Sequence, residues 1–159
     1  MPGFFGCTDT SKMSNPVPVA AAPAEGFATG INCMDGRVQL PLVNHMRSTY
    51  NCAFIDQITE AGPVRYFNMP EDAPQTDRDT FTNMMARVDI SVHHHGSKVI
   101  NVTAHPDCAG NVVEDDKQKV QLLRAKAYLK EKYPTCTVEA IWIWPANGED
   151  WSRVRCITL

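Results

Sequence analysis

The sequence predicts an α/β protein: a mostly parallel sheet of about four strands, a possible antiparallel strand at one edge, and helices on both faces. Three observations predict it. Short apolar runs alternate with stretches of helical periodicity, the pattern of a sheet wound from successive strand–helix units. The last two apolar runs, residues 138–144 and 151–158, are separated only by a turn centred on Pro145-Ala146-Asn147-Gly148, which favours an antiparallel neighbour. A chain of 159 residues can bury one core without disulfides.

Residues 1–26 contain Ser14-Asn15-Pro16-Val17-Pro18-Val19-Ala20-Ala21-Ala22-Pro23-Ala24. Prolines and small side chains bury little, so this segment is expected as a tail, or as an arm laid on a partner subunit through Phe4, Phe5, Val17 and Val19. Residues 27–159 are expected as one domain. Phe27-Ala28-Thr29-Gly30-Ile31-Asn32 reads as a first buried strand, weakened by Gly30 and ending at Cys33. Leu40, Leu42, Val43 and Met46 then recur at helical spacing to about Ser48, with Pro41 near the helix start, where its missing N–H costs little. Residues 52–58 look like a second strand, broken by Ala61-Gly62-Pro63, and the Pro- and Asp-rich residues 69–77 read as loop.

From Asp79, the residues Phe81, Met84, Met85, Val88 and Val92 follow one helical face, and Gly96 suits a left-handed C-terminal cap. A third strand spans 98–104. Residues 113–132 form the longest helical candidate. Glu114, Asp115 and Asp116 lie early in it and Lys130 and Lys132 late, the order that the helix dipole favours, and Pro134 stops it.

The formal charge of −3 and a pI near 5.9 give no reason to expect nucleic acid. No cationic amphipathic helix or long apolar run suggests a membrane. The six cysteines (7, 33, 52, 108, 136 and 156) are even in number, yet no secretory signal pattern precedes them. A reducing, cytoplasmic setting is expected, where clustered cysteines more often bind metal than form disulfides.

The chemistry collects at two strand ends. His105-Pro106-Asp107-Cys108 follows the third strand and Cys33-Met34-Asp35-Gly36-Arg37 follows the first. Ligands of parallel sheets bind beyond the carboxyl ends of the strands. Zinc accepts mixed thiolate and imidazole donors, so Cys33, His105 and Cys108 form a candidate set, with water or the Asp35 carboxylate in fourth place. Zinc held in this way lowers the pKa of a bound water toward neutrality. Arg37 could take the Asp35 carboxylate in a bidentate pair and draw it off the metal, which would make Asp35 a switch.

The two motifs, each following a strand and with a helix before the second, resemble those of the β-class carbonic anhydrases, over about residues 28–145. The resemblance implies a zinc enzyme, a carbonate dehydratase, that interconverts carbon dioxide and bicarbonate. In it Cys33, His105 and Cys108 would be zinc ligands, and Asp35 with Arg37 the gating pair. It also implies a homodimer or larger homo-oligomer. Relatives on this scaffold hydrolyse carbon disulfide or carbonyl sulfide, so those substrates stand as alternatives.

Other readings compete. Asp35 and Arg37 could be only a structural ion pair, and Asp107 could either orient a ligand or cap the following helix. Cys52, Cys136 and Cys156 are expected to be small buried hydrophobes. His93, His94 and His95 point in different directions on a helix and are read as a surface cap, His45 is a weak proton-shuttle candidate, and Trp142, Trp144 and Trp151 are assigned to core or interface. Cys108 or Cys33 as a nucleophile with His105 as base is geometrically awkward. A non-enzymatic zinc module for assembly, closed by Asp35, is the third class of function.

Overall fold

The computed structural model describes residues 26–148 and 150–159, except for the side chain of Ser152. The segment expected as a tail or arm, and Cys7 within it, lies outside the described residues apart from Gly26. In order come β1 (Phe27–Cys33), α1 (Gly36–Tyr50), β2 (Phe54–Glu60), a short 3-10 helix (Pro63–Asn68), α2 (Gln75–His93), β3 (Val99–Ala104), α3 (Asp115–Lys132), β4 (Thr137–Asn147) and β5 (Asp150–Thr158). The sheet order is β2-β1-β3-β4-β5. β1 runs parallel to β2 and β3, β3 parallel to β4, and β5 antiparallel to β4. The expected parallel sheet with an antiparallel edge is therefore borne out.

Helices cover both faces. On one, Val38, Leu42 and Met46 of α1 recur every four residues and pack with Ala28, Ile141 and Ile143. On the other, Met84 and Val88 of α2 and Leu122, Ala125 and Leu129 of α3 close over Ile31, Val102 and Trp142. Each large apolar side chain buried completely in these layers contributes roughly 1.5–3 kcal/mol. Gly30 belongs to β1 after all. A Cβ there would lie 3.0 Å from the Leu42 side chain, so the glycine lets α1 approach the sheet closely.

Several boundaries differ from expectation for identifiable reasons. α1 begins at Gly36 because Asp35 caps it, its carboxylate accepting from the Arg37 main-chain N–H at 2.9 Å. Pro41 therefore sits inside the helix rather than near its start, and one intrahelical hydrogen bond is missing there. α2 starts at Gln75, so the expected loop is shorter; its first turn is polar and carries no apolar rhythm. β4 runs on through the expected turn to Asn147, with a register shift between Pro145 and Asn147 that accommodates the proline. Gly96 takes the left-handed conformation as expected, at φ 73°. Among the described residues, no helix is long and apolar enough to cross a membrane.

Candidate metal centre

β1 lies between β2 and β3, so the chain leaves β1 toward one side of the sheet for β2 and reaches the other side with β3. Such a reversal opens a crevice beyond the carboxyl ends of the central strands. Cys33 is the last residue of β1, and His105 directly follows β3. At Asp107 the loop after β3 turns through a left-handed conformation (φ 53°), and Cys108 comes next.

One donor atom each from Cys33, His105 and Cys108 lies within 4.8 Å of the other two, and all three residues are buried. The two sulfurs are 3.7 Å apart. Two thiolates on one tetrahedral zinc, each at ~2.3 Å, would stand about 3.8 Å apart. The His105 Nδ1–H donates to the Pro106 carbonyl at 2.8 Å, which leaves Nε2 as the free lone pair of the neutral ring. That Nε2 is buried and has no hydrogen-bond partner. An orphaned acceptor beside two sulfurs at this separation is the donor set that a borderline-soft cation requires.

Electrostatics point the same way. The hydrogen bond from Cys108 pulls the Cys33 thiol well below its ordinary range against the effect of burial, and nearby main-chain N–H groups help. The shared proton, with burial and the Cys33 charge, pushes Cys108 up. The pair thus gives up one proton readily and holds the second. A cation between them would favour loss of both.

Asp35 stands apart from the three donors. The Arg37 Nε reaches both its carboxylate oxygens at 3.0 Å, and Nη2 reaches Oδ2 at 2.6 Å. The side-chain hydrogen bond from Arg37 holds the Asp35 carboxyl below the usual carboxylate range, overcoming partial burial. Arg37 also reaches the Asp107 carboxylate at 3.4 Å and its carbonyl at 3.3 Å. Asp107 does not cap the next helix, because Glu114 occupies that position.

Four further residues shape the centre without having stood out in the sequence as site residues. Gln39 donates to the carbonyls of Cys33 and Asp35 from the second turn of α1. Gly62 and Gly110 let the loops after β2 and β3 cross in backbone contact. Trp151, assigned to core or interface, packs against the α1-side core from a partly buried position and also lies against Arg37, with the guanidinium carbon 4.4 Å from its ring centre, and meets the His105 ring edge-on. No motif marks it, since only the pairing of β5 with β4 brings it there. A cavity of about 620 Å³ opens beside it, lined by Arg37, Pro106, Asp107, Pro145, Gly148 and Trp151.

The remaining candidates lie elsewhere. The three histidines end α2 before β3 begins, at the opposite edge of the sheet; His95 pairs with Asp56 at 2.7 Å, and His93 lies 3.9 Å from Asp89. The surface-cap reading thus suits them better than a metal site. Burial pushes the His45 imidazole down. Cys52, Cys136 and Cys156 are free thiols raised by burial, Cys156 to about 11. Trp142 is core, and Trp144 packs against it from a partly buried position.

Fold and site together define an α/β protein with a cysteine–histidine group able to hold a metal ion at the carboxyl edge of a parallel sheet. The sequence matches the family described as "Putative carbonic anhydrase" over residues 24–152, and the chain belongs to that family. No curated protein compared with it matches. Among the solved structures that resemble it are two β-carbonic anhydrases. A β-carbonic anhydrase, isoform I, of Trichomonas vaginalis shares 15% identity at a TM-score of 0.41, covering 82% of this chain and 81% of that one. One of two tetrameric β-carbonic anhydrases of Sordaria macrospora shares 12% identity at a TM-score of 0.42, covering 87% and 83%.

Proposed function

We propose that this protein is a zinc-dependent carbonic anhydrase that interconverts carbon dioxide and bicarbonate. The observation that carries the reading is the convergence of the Cys33 and Cys108 sulfurs with an unpartnered His105 Nε2, beside an Asp35 carboxylate already engaged by Arg37. When bound, zinc supplies the Lewis acidity that activates water toward an electrophilic carbon. Cys33 and Cys108 would hold it as thiolates, and His105 through Nε2. The Pro106 carbonyl fixes the tautomer and the ring orientation of His105.

Arg37 keeps Asp35 ionised and off the donor group, so that zinc held by Cys33, His105 and Cys108 would remain open to water. The walls that Pro106, Pro145 and Trp151 give the adjoining cavity suit a nonpolar gas, and the charge of Arg37 favours an anionic product. A homodimer or larger homo-oligomer goes with this reading; exposed Met34 and Leu40 beside the site offer apolar surface for a second copy.

The test combines metal analysis with stopped-flow hydration of carbon dioxide. The wild-type protein is expected to carry one zinc per chain and to hydrate carbon dioxide, and Cys108→Ser to lose both. Full activity in zinc-free protein would overturn the proposal.

A further inference from the structure

Arg37 points its in-plane N–H groups at Asp35 on one side and Asp107 on the other, at distances from 2.6 to 3.4 Å. Such edge-on bonds set where the guanidinium lies within its plane. They leave its two faces to packing. One face is covered by Trp151, whose ring centre is 4.4 Å from the guanidinium carbon. The same indole meets the His105 ring at 6.1 Å between centroids and an interplanar angle of 83°. A single side chain, delivered by the edge strand β5, therefore touches both the cation that holds Asp35 and the imidazole of the three-donor group.

We propose that Trp151 is a positioning residue: by covering the face of Arg37 it keeps Asp35 paired with Arg37 and away from Cys33, His105 and Cys108. The proposal rests on the metal-centre reading above. Arg37 is one-third exposed and carried on a flexible stem. Without the indole, only the edge-on bonds hold the guanidinium, and it swings toward solvent more readily. Asp35 would then keep only the main-chain N–H of Arg37, which bonds one of its two oxygens. A carboxylate loosened beside three donors competes for the position that an incoming ligand needs.

The experiment uses Co²⁺ as the metal and azide as the incoming anion, followed by visible absorption, on wild type, W151F, W151L, D35N and W151L/D35N. Azide should bind W151L about five-fold more weakly than wild type, the factor that a cation–aromatic contact of this class supplies. W151F, which keeps a flat ring, should stay near wild type. In the D35N background W151L should have no effect, because the competing carboxylate is gone. Unchanged azide affinity in W151L, or a loss that persists in the D35N background, would overturn the proposal. In metal-free protein, solvent exchange of the Arg37 Nε–H should quicken about five-fold in W151L and not in W151F; an unchanged rate would also overturn it. Failure of wild type to bind Co²⁺ would bring down the metal-centre reading and this proposal together, while intact binding with no Trp151 effect would bring down this proposal alone.

Discussion

Gly62 and Gly110 touch through their backbones. A Cβ on Gly62 would lie 2.6 Å from the Gly110 carbonyl carbon and oxygen, and one on Gly110 only 2.4 Å from the Ala61 carbonyl carbon. This contact presses the loop after β2 against the loop that carries Cys108. Gly110→Ala should destabilise the fold by about 2 kcal/mol, because backbone on both sides must give way. It should also weaken metal binding. Gly62→Ala adds the strain of a left-handed φ of 59° and should cost more. Equilibrium denaturation of both variants would check this, and a Gly110→Ala protein as stable as wild type would contradict it.

The metal should hold the two strand ends together. Cys33 closes β1 and His105 follows β3, so a ligand that joins them binds the folded chain and not the unfolded one. At a free zinc concentration about a hundred times the dissociation constant, the stabilisation is about 2.7 kcal/mol. For a chain of this size that corresponds to a rise in Tm of about 5–10 °C. Chelation should reverse the rise in wild type and in Cys136→Ser, whose thiol lies away from the centre. Cys108→Ser should respond to neither zinc nor chelator in a thermal melt.

How much of this was legible in the sequence depended on whether the signal was local. The β1 and β3 runs and their His/Cys ends could be read because strand residues and ligands are adjacent in the chain. Local pattern also exposed the acids and lysines at the two ends of α3. The extra first turn of α2 was hidden, since its residues face solvent and have no apolar period. Pro41 misled because a proline usually marks a helix start, whereas the Asp35 cap sets this one five residues earlier. Trp151 was invisible as a site residue, because its place against Arg37 depends on register across the β4–β5 hairpin.

Away from the centre, Thr29 links β1 to the end of α2 through buried hydroxyls. Its Oγ1 lies 2.7 Å from the Ser91 hydroxyl and donates to the Ser97 hydroxyl at 2.9 Å, which itself donates to the Val99 carbonyl. Thr29→Val keeps the shape and removes the partner of Ser91. The expected cost is about 1–3 kcal/mol, toward the lower end if Ser91 turns to a carbonyl of its own helix. Metal stoichiometry should stay at the wild-type value. Loss of metal in this variant would show that the hydroxyl chain reaches the site, contrary to this account.

Asp35 should leave a signature in the pH dependence of stability. Its pairing with Arg37 lowers its pKa in the folded chain below the ordinary value near 3.9. A group shifted downward contributes stability that is fully present above its unfolded pKa and is lost as pH falls through its folded pKa. Asp35→Asn keeps an oxygen to cap α1, so the comparison isolates the charge. In metal-free protein, where no cation competes for the carboxylate, wild type should exceed Asp35→Asn by about 1 kcal/mol, a hydrogen-bonded charge discounted for partial exposure. That margin should be flat from about pH 5 to pH 8 and shrink below about pH 4, where the unfolded carboxyl takes up its proton first. Guanidinium denaturation at a series of pH values measures it. A margin that grows on acidification would mean that Arg37 does not hold Asp35 in the folded chain.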